Sequence, residues 1–191
     1  GVMAWKEWVT HFAGFGLGGG LCLGVASALD SSGASGRDDP TMMSVARILA
    51  KSSNIGTIFI SQTIGLAKQE AYMRAFGFGS VSALAFPGES RGIFRSHTEW
   101  QGTEKVTVAY GQGVAATALQ LLGAVNTIAN DGRYVDPKLV RATIDASGEL
   151  TETPPSSTHE VITPETAQTM NVLMRDVVCA GTASQAKLPG Y

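Results

Sequence analysis

The residues best suited to chemistry in this sequence are a serine pair followed by an amide, Ser52-Ser53-Asn54. Alone an S-x-N tripeptide is a weak signal, which sets two hydroxyls and a carboxamide, all hydrogen-bonding groups, side by side. The same residues suit a helix start, where Ser53 or Asn54 satisfies a free backbone N–H. Both readings hold together, because a helix start presents polar side chains on a fixed scaffold. Ser184-Gln185-Ala186-Lys187 matches S-x-x-K, the pattern in which a lysine activates a serine nucleophile. Gly14-x-Gly16-x-x-Gly19 matches a dinucleotide-loop pattern, but no strand pattern precedes it and no acidic residue stands at the expected place after it, so it reads as glycine-rich coincidence. His11, His97 and His159 lie far apart and show no zinc pattern, so no metal site is expected. Cys22 and Cys179 fit neither metal nor redox spacing and make no disulfide framework. Cys179, in an apolar helical stretch, reads as a small buried thiol.

The elements that must position these residues are legible as periodic patterns. Met42, Val45, Ile48 and Leu49 form a helical stripe ending near Lys51, and a second helix starts around Asn54 and closes at Gly65. A third short helix is expected over residues 68–76, ending at the Gly77-Phe78-Gly79 turn, followed by irregular chain over 80–100 around Pro87-Gly88. Val114–Ala129 reads as a helix closed by the Asn130-Asp131-Gly132 turn. Leu139–Ile144 is β-prone, Ala146-Ser147-Gly148 is a turn, and 160–162 is a short extended piece. Thr163-Pro164-Glu165 opens a last helix running to about Cys179. Helices, then strands, then a helix suggest an α+β domain.

Length and composition set the outer limits. At 191 residues, 44% hydrophobic and 16% charged, the chain has enough for one domain with a packed core. Its net charge of −2 comes with scattered Lys and Arg, which argues against a nucleic-acid-binding face. Residues 1–37 differ in texture and form an unassigned glycine-rich segment. There Trp5, Trp8 and Phe12 recur at helical spacing, and Phe12–Leu29 carries no charge over 18 residues. That length is the lower edge of a membrane span, and the glycine content makes the run a poor helix in water. No secretory signal is visible.

The larger signal is an ordered series. Leu49-Ala50-Lys51-Ser52-Ser53-Asn54-Ile55-Gly56-Thr57 is followed by Arg74-Ala75-Phe76-Gly77-Phe78-Gly79, Phe86-Pro87-Gly88-Glu89-Ser90, Tyr110-Gly111-Gln112-Gly113-Val114 and Thr117-Ala118-Leu119-Gln120. Ile128-Ala129-Asn130-Asp131-Gly132, Gly181-Thr182-Ala183 and Leu188-Pro189-Gly190-Tyr191 complete it. This string resembles the transpeptidase domain of class B penicillin-binding proteins, especially the division-type enzymes, over roughly residues 38–191. The resemblance implies the α+β fold shared with serine β-lactamases, present in part and mostly as its helical subdomain. It implies a peptidoglycan D,D-transpeptidase working through a serine acyl-enzyme, with stem peptides as substrates, β-lactams as covalent inhibitors, divisome proteins as partners and no cofactor. The parent protein is expected at the plasma membrane with this domain on the extracytoplasmic side.

In that family S-x-x-K, S-x-N and K-[ST]-G meet in one cleft. The resemblance gives Ser52 a part in proton relay and has Asn54 hydrogen-bond the substrate or the nucleophile's lysine. Ser53 and Gln112 are the candidates for lining the substrate groove. The sequence departs from the family in that nothing in residues 1–51 matches S-x-x-K, and the K-[ST]-G strand belongs after a Pro-Gly-Tyr like residues 189–191. Ser184 falls in the segment leading to that strand, which makes its own S-x-x-K match accidental. The chain is therefore expected to be a fragment, inactive by itself and poorly soluble. A non-catalytic scaffold or binding module in wall synthesis is the alternative, favoured by the missing motifs and disfavoured by the intact Ser52-Ser53-Asn54. A β-lactamase-type hydrolase fits less well, since no deacylating glutamate is recognisable.

Overall fold

A computed structural model describes residues 43–84 and 86–187. The Trp5/Trp8/Phe12 stretch, the uncharged run, the Gly14 pattern, Cys22 and the Pro189-Gly190-Tyr191 turn lie outside the described residues. Three helices come first: α1 (Val45–Lys51), α2 (Asn54–Ile64) and α3 (Leu66–Ala75), separated only by Ser52-Ser53 and by Gly65. After an irregular stretch, the single turn α4 (Glu104–Thr107) continues into a 3-10 turn at Val108–Tyr110 that packs on α2. Helix α5 (Ala118–Ala129) is opened by a capping box: the Thr117 hydroxyl accepts from the Gln120 N–H while the Gln120 side chain accepts from the Thr117 N–H. Helix α6 (Pro164–Cys179) starts on a Thr163 cap with proline at its first position.

Between α5 and α6 lie two antiparallel ladders, one nested inside the other. Strands β1 (Arg133–Val135) and β4 (Thr158–Glu160) pair, and they enclose the hairpin of β2 (Ala142–Ile144) and β3 (Leu150–Glu152). The α+β expectation holds, with helices as the main mass of the described residues. Several boundaries differ from the sequence reading. The helix expected from Val114 begins at Ala118, because Ala115 exchanges backbone bonds with Ile93 at 2.8 and 2.9 Å and keeps that stretch extended. The extended piece expected at 160–162 lies at Thr158–Glu160, since the Val161 and Ile162 N–H groups turn to the Gly132 carbonyl. The β-prone run from Leu139 forms a strand only at Ala142–Ile144. Strands β1 and β3 are three residues each, too short for alternation to announce them. Cys179 is disulfide-bonded rather than the buried thiol expected.

The centre of the core is Val177 with Ala183, both fully buried, and Leu49, Leu121, Val125 and Val178 pack around them. It joins α1, α5 and α6 directly beneath the Ser52-Ser53 link. Helix α2 approaches α1 so closely that a Cβ on Gly56 would lie 2.6 Å from Ile48 Cγ1. Ile48 is β-branched and buried, so it cannot swing aside.

The irregular stretch is held by two buried polar side chains. Gln120 Nε2 donates to the Ser80 carbonyl at 2.7 Å and to the Arg91 carbonyl at 3.0 Å. Glu70 on α3 accepts from Arg74 Nε at 2.7 Å, from the His97 backbone N–H and ring Nδ1–H at 2.6 Å each, and from the Ser96 hydroxyl at 3.1 Å. Burial pushes the Glu70 carboxyl up, but the His97 bonds, then Arg74 and Ser96, outweigh it and hold the pKa at about 2. Arg74 in turn lies over the Phe94 ring at 5.0 Å. Among the described residues no helix is long and apolar enough to cross a membrane.

Two outcomes follow from this packing. Gly56→Ala raises helix propensity yet should destabilise the fold by about 1–3 kcal/mol through overpacking against Ile48. Urea unfolding should show that loss, and show it reduced in an Ile48→Ala background. Glu70 has a depressed folded pKa, so its contribution is complete above the ordinary value of 4.5 and is lost as pH falls toward 2. Unfolding free energy should drop by up to about 3 kcal/mol across that window, and a Glu70→Gln variant should lack that part of the profile.

Candidate active site

Helix α1 ends in a Schellman motif, with the Ser52 N–H on the Leu49 carbonyl and the Ser53 N–H on the Ile48 carbonyl, both at 3.0 Å. The residue that must turn left-handed in this motif is Ser52, at φ 51° and ψ 46°. Glycine takes that place at little cost, whereas a residue with a Cβ is strained by roughly 1–2 kcal/mol. The turn sets Ser53 in extended conformation as the cap of α2, its hydroxyl accepting from the Gly56 N–H at 3.2 Å. The Thr57 hydroxyl donates back to the Ser53 carbonyl at 2.9 Å. Asn54 is the first residue of α2, and it is exposed.

The strained turn is buttressed from the end of α6. The Thr182 N–H donates to the Ala50 carbonyl at 3.1 Å, and the Ser52 and Thr182 hydroxyls lie 2.9 Å apart. Gly181 passes so near α1 that a Cβ there would sit 2.5 Å from the Ala50 carbonyl oxygen. Ala183, fully buried, locks the segment into the core. Ser52 is itself only 6% exposed, so its hydroxyl sits on a rigid, largely dry frame.

Of the residues singled out in the sequence, Ser52, Ser53 and Asn54 thus share one short link between two helices. Gln112 is exposed in a turn between Gly111 and Gly113, both with positive φ, just after the 3-10 turn that packs on α2. Its backbone N–H donates to the Thr107 carbonyl at 3.1 Å, which ties the turn to the end of α4. Ser184 and Lys187 are exposed; Ser184 begins a 3-10 turn and Lys187 follows its last residue. Glu89, read as a loop residue, accepts from the Ser82 N–H at 2.8 Å. Thr182 lies inside the Gly181-Thr182-Ala183 element, where no local signal marks it for a role. No spacing rule connects it to Ser52, which lies 130 residues away.

What this frame can do is hold a serine hydroxyl paired with a second hydroxyl, two residues before an exposed carboxamide. Residues 30–191 match the family model described as the penicillin binding protein transpeptidase domain. The chain belongs to that family.

Penicillin-binding protein PbpB of Mycobacterium tuberculosis is 36% identical over 151 residues, covering 75% of this chain and 22% of that protein. Stage V sporulation protein D of Bacillus subtilis is 30% identical over 146 residues, covering 75% of this chain and 23% of that protein. The crystal structure of penicillin binding protein 3 from M. tuberculosis complexed with aztreonam superposes with a TM-score of 0.74 at 35% identity, covering 78% of this chain and 35% of that one. This transpeptidase-family chain thus spans about a fifth of the length of the curated relatives it matches. The α+β reading and the family resemblance both stand.

The strain at Ser52 has a measurable signature. Ser52→Gly and Ser52→Ala remove the same hydroxyl, but only glycine relieves the left-handed backbone, so the glycine variant should be the more stable by about 1 kcal/mol. Thermal or urea unfolding of the two variants side by side checks this, and equal stabilities would show that the turn stores no strain.

Proposed function

We propose that this chain is the S-x-N-bearing part of a peptidoglycan D,D-transpeptidase, with a partial transpeptidase domain over residues 38–191. The reaction is acyl transfer through a serine acyl-enzyme, with D-Ala-D-Ala stem peptides as substrates. In this reading the Ser52 hydroxyl takes part in proton transfer, and the Asn54 carboxamide hydrogen-bonds the acyl-donor peptide or the nucleophile's lysine. Ser53 holds the link as the α2 cap and keeps its own O–H for substrate, and Gln112 lines the groove from the neighbouring turn. The observation that carries the reading is the placement of the S-x-N serine in a strained, buttressed turn, since strain of this kind persists where the position serves chemistry.

The relatives include probable peptidoglycan D,D-transpeptidases, and the M. tuberculosis protein was solved with aztreonam and with ampicillin. We extend that β-lactam recognition to this chain. With it goes the expectation of a membrane-anchored protein acting outside the cytoplasm beside division partners.

The test is covalent labelling of the full-length protein that carries this chain, using a fluorescent penicillin. Labelling is expected, competed by aztreonam, and slowed about 100-fold or more by Ser52→Ala if the hydroxyl transfers a proton. A folded full-length protein that takes no label would support the non-catalytic scaffold instead.

A further inference from the structure

We propose that Thr182 is a positioning residue for Ser52, fixing the direction in which the Ser52 hydroxyl points. The inference rests on the acyl-transfer reading above and adds a residue to it. A serine hydroxyl carries one proton on a freely turning bond, and in an open site it samples many directions. Ser52 is buried, and the Thr182 hydroxyl at 2.9 Å is the side-chain partner that the described residues give it. When Thr182 donates, the Ser52 O–H is free to donate to a third group. When Ser52 donates, a lone pair of Ser52 is free to accept from one. The pair therefore offers both states that a proton relay needs, and it passes between them by turning two hydroxyls, with no backbone movement.

The frame that holds Thr182 is the frame that holds Ser52. The Thr182 N–H is tied to the Ala50 carbonyl at 3.1 Å, two residues before Ser52. Gly181 is pressed on that same carbonyl, and Ala183 is buried in the core. The backbones that carry the two hydroxyls are thus held together by contacts of their own. Thr182 itself is exposed, so a role in packing alone would leave little trace when its shape is kept.

The experiment uses the full-length protein carrying this chain and measures the acylation rate by a fluorescent penicillin across pH, together with the melting temperature. Thr182→Val keeps the shape and removes the hydroxyl. It should slow acylation about 10-fold and change the pH profile, while Thr182→Ser should restore both. A wild-type rate and profile in Thr182→Val, or a Thr182→Ser variant as slow as the valine, overturns the proposal. Should the valine variant unfold, Thr182→Ala and Thr182→Ser replace it, differing only in the hydroxyl. Faster acylation by the serine variant then supports the proposal, and equal rates overturn it. An unlabelled wild type defeats the acyl-transfer reading and this inference with it, whereas a labelled wild type indifferent to Thr182 defeats this inference alone.

Discussion

A serine in a left-handed turn needs support from its surroundings, and two close contacts flank Ser52. From one side Gly56 lets α2 close onto Ile48, which fixes the angle between α1 and α2. From the other, Gly181 and Thr182 bring the end of α6 against the Ala50 carbonyl. Either contact would be lost to a bulkier neighbour. Together they make the turn a rigid joint in which a hydroxyl, a cap and a carboxamide follow one another along four ångström steps of backbone, about the spacing of consecutive Cα atoms.

The remainder of the described structure serves that joint by stiffening what surrounds it. The Val177 and Ala183 core lies under it, tying α1 to α5 and α6. Farther out, Gln120 and Glu70 replace secondary structure over the irregular stretch, each satisfying several groups at once. A buried carboxylate that accepts four hydrogen bonds is an effective staple, because losing any one partner leaves charge poorly solvated. The result is a link set on rigid elements, the kind of frame that the proposed acyl transfer would need if reacting atoms are to be held near attack geometry.

Much of this was legible in the sequence, and the parts that were not share a physical cause. The α2 start at Ser53, the Gly65 stop, the Asn130-Asp131-Gly132 turn and the Thr163-Pro164 start are local signals, written in residues that touch within a turn. The Ser52-Ser53-Asn54 tripeptide was readable for the same reason. By contrast, Ala115 stays extended because of Ile93, and β1 exists because of β4; these partners are distant in sequence. Thr182 belongs to this second class, as does the positive φ of Ser52, which no propensity assigns to serine. The i, i+4 spacing of Glu70 and Arg74 could have hinted at their ion pair, but not at the closer embrace of His97.

The most direct measurement is a crystal structure of the full-length protein acylated by a β-lactam. The expected result has Ser52 still left-handed, its hydroxyl within hydrogen-bond distance of Thr182, and the acyl group lying against Ser52 and Asn54. An acyl group bound away from the α1–α2 link, or a Ser52 relaxed into ordinary backbone with its hydroxyl turned from Thr182, would contradict the role assigned to this joint.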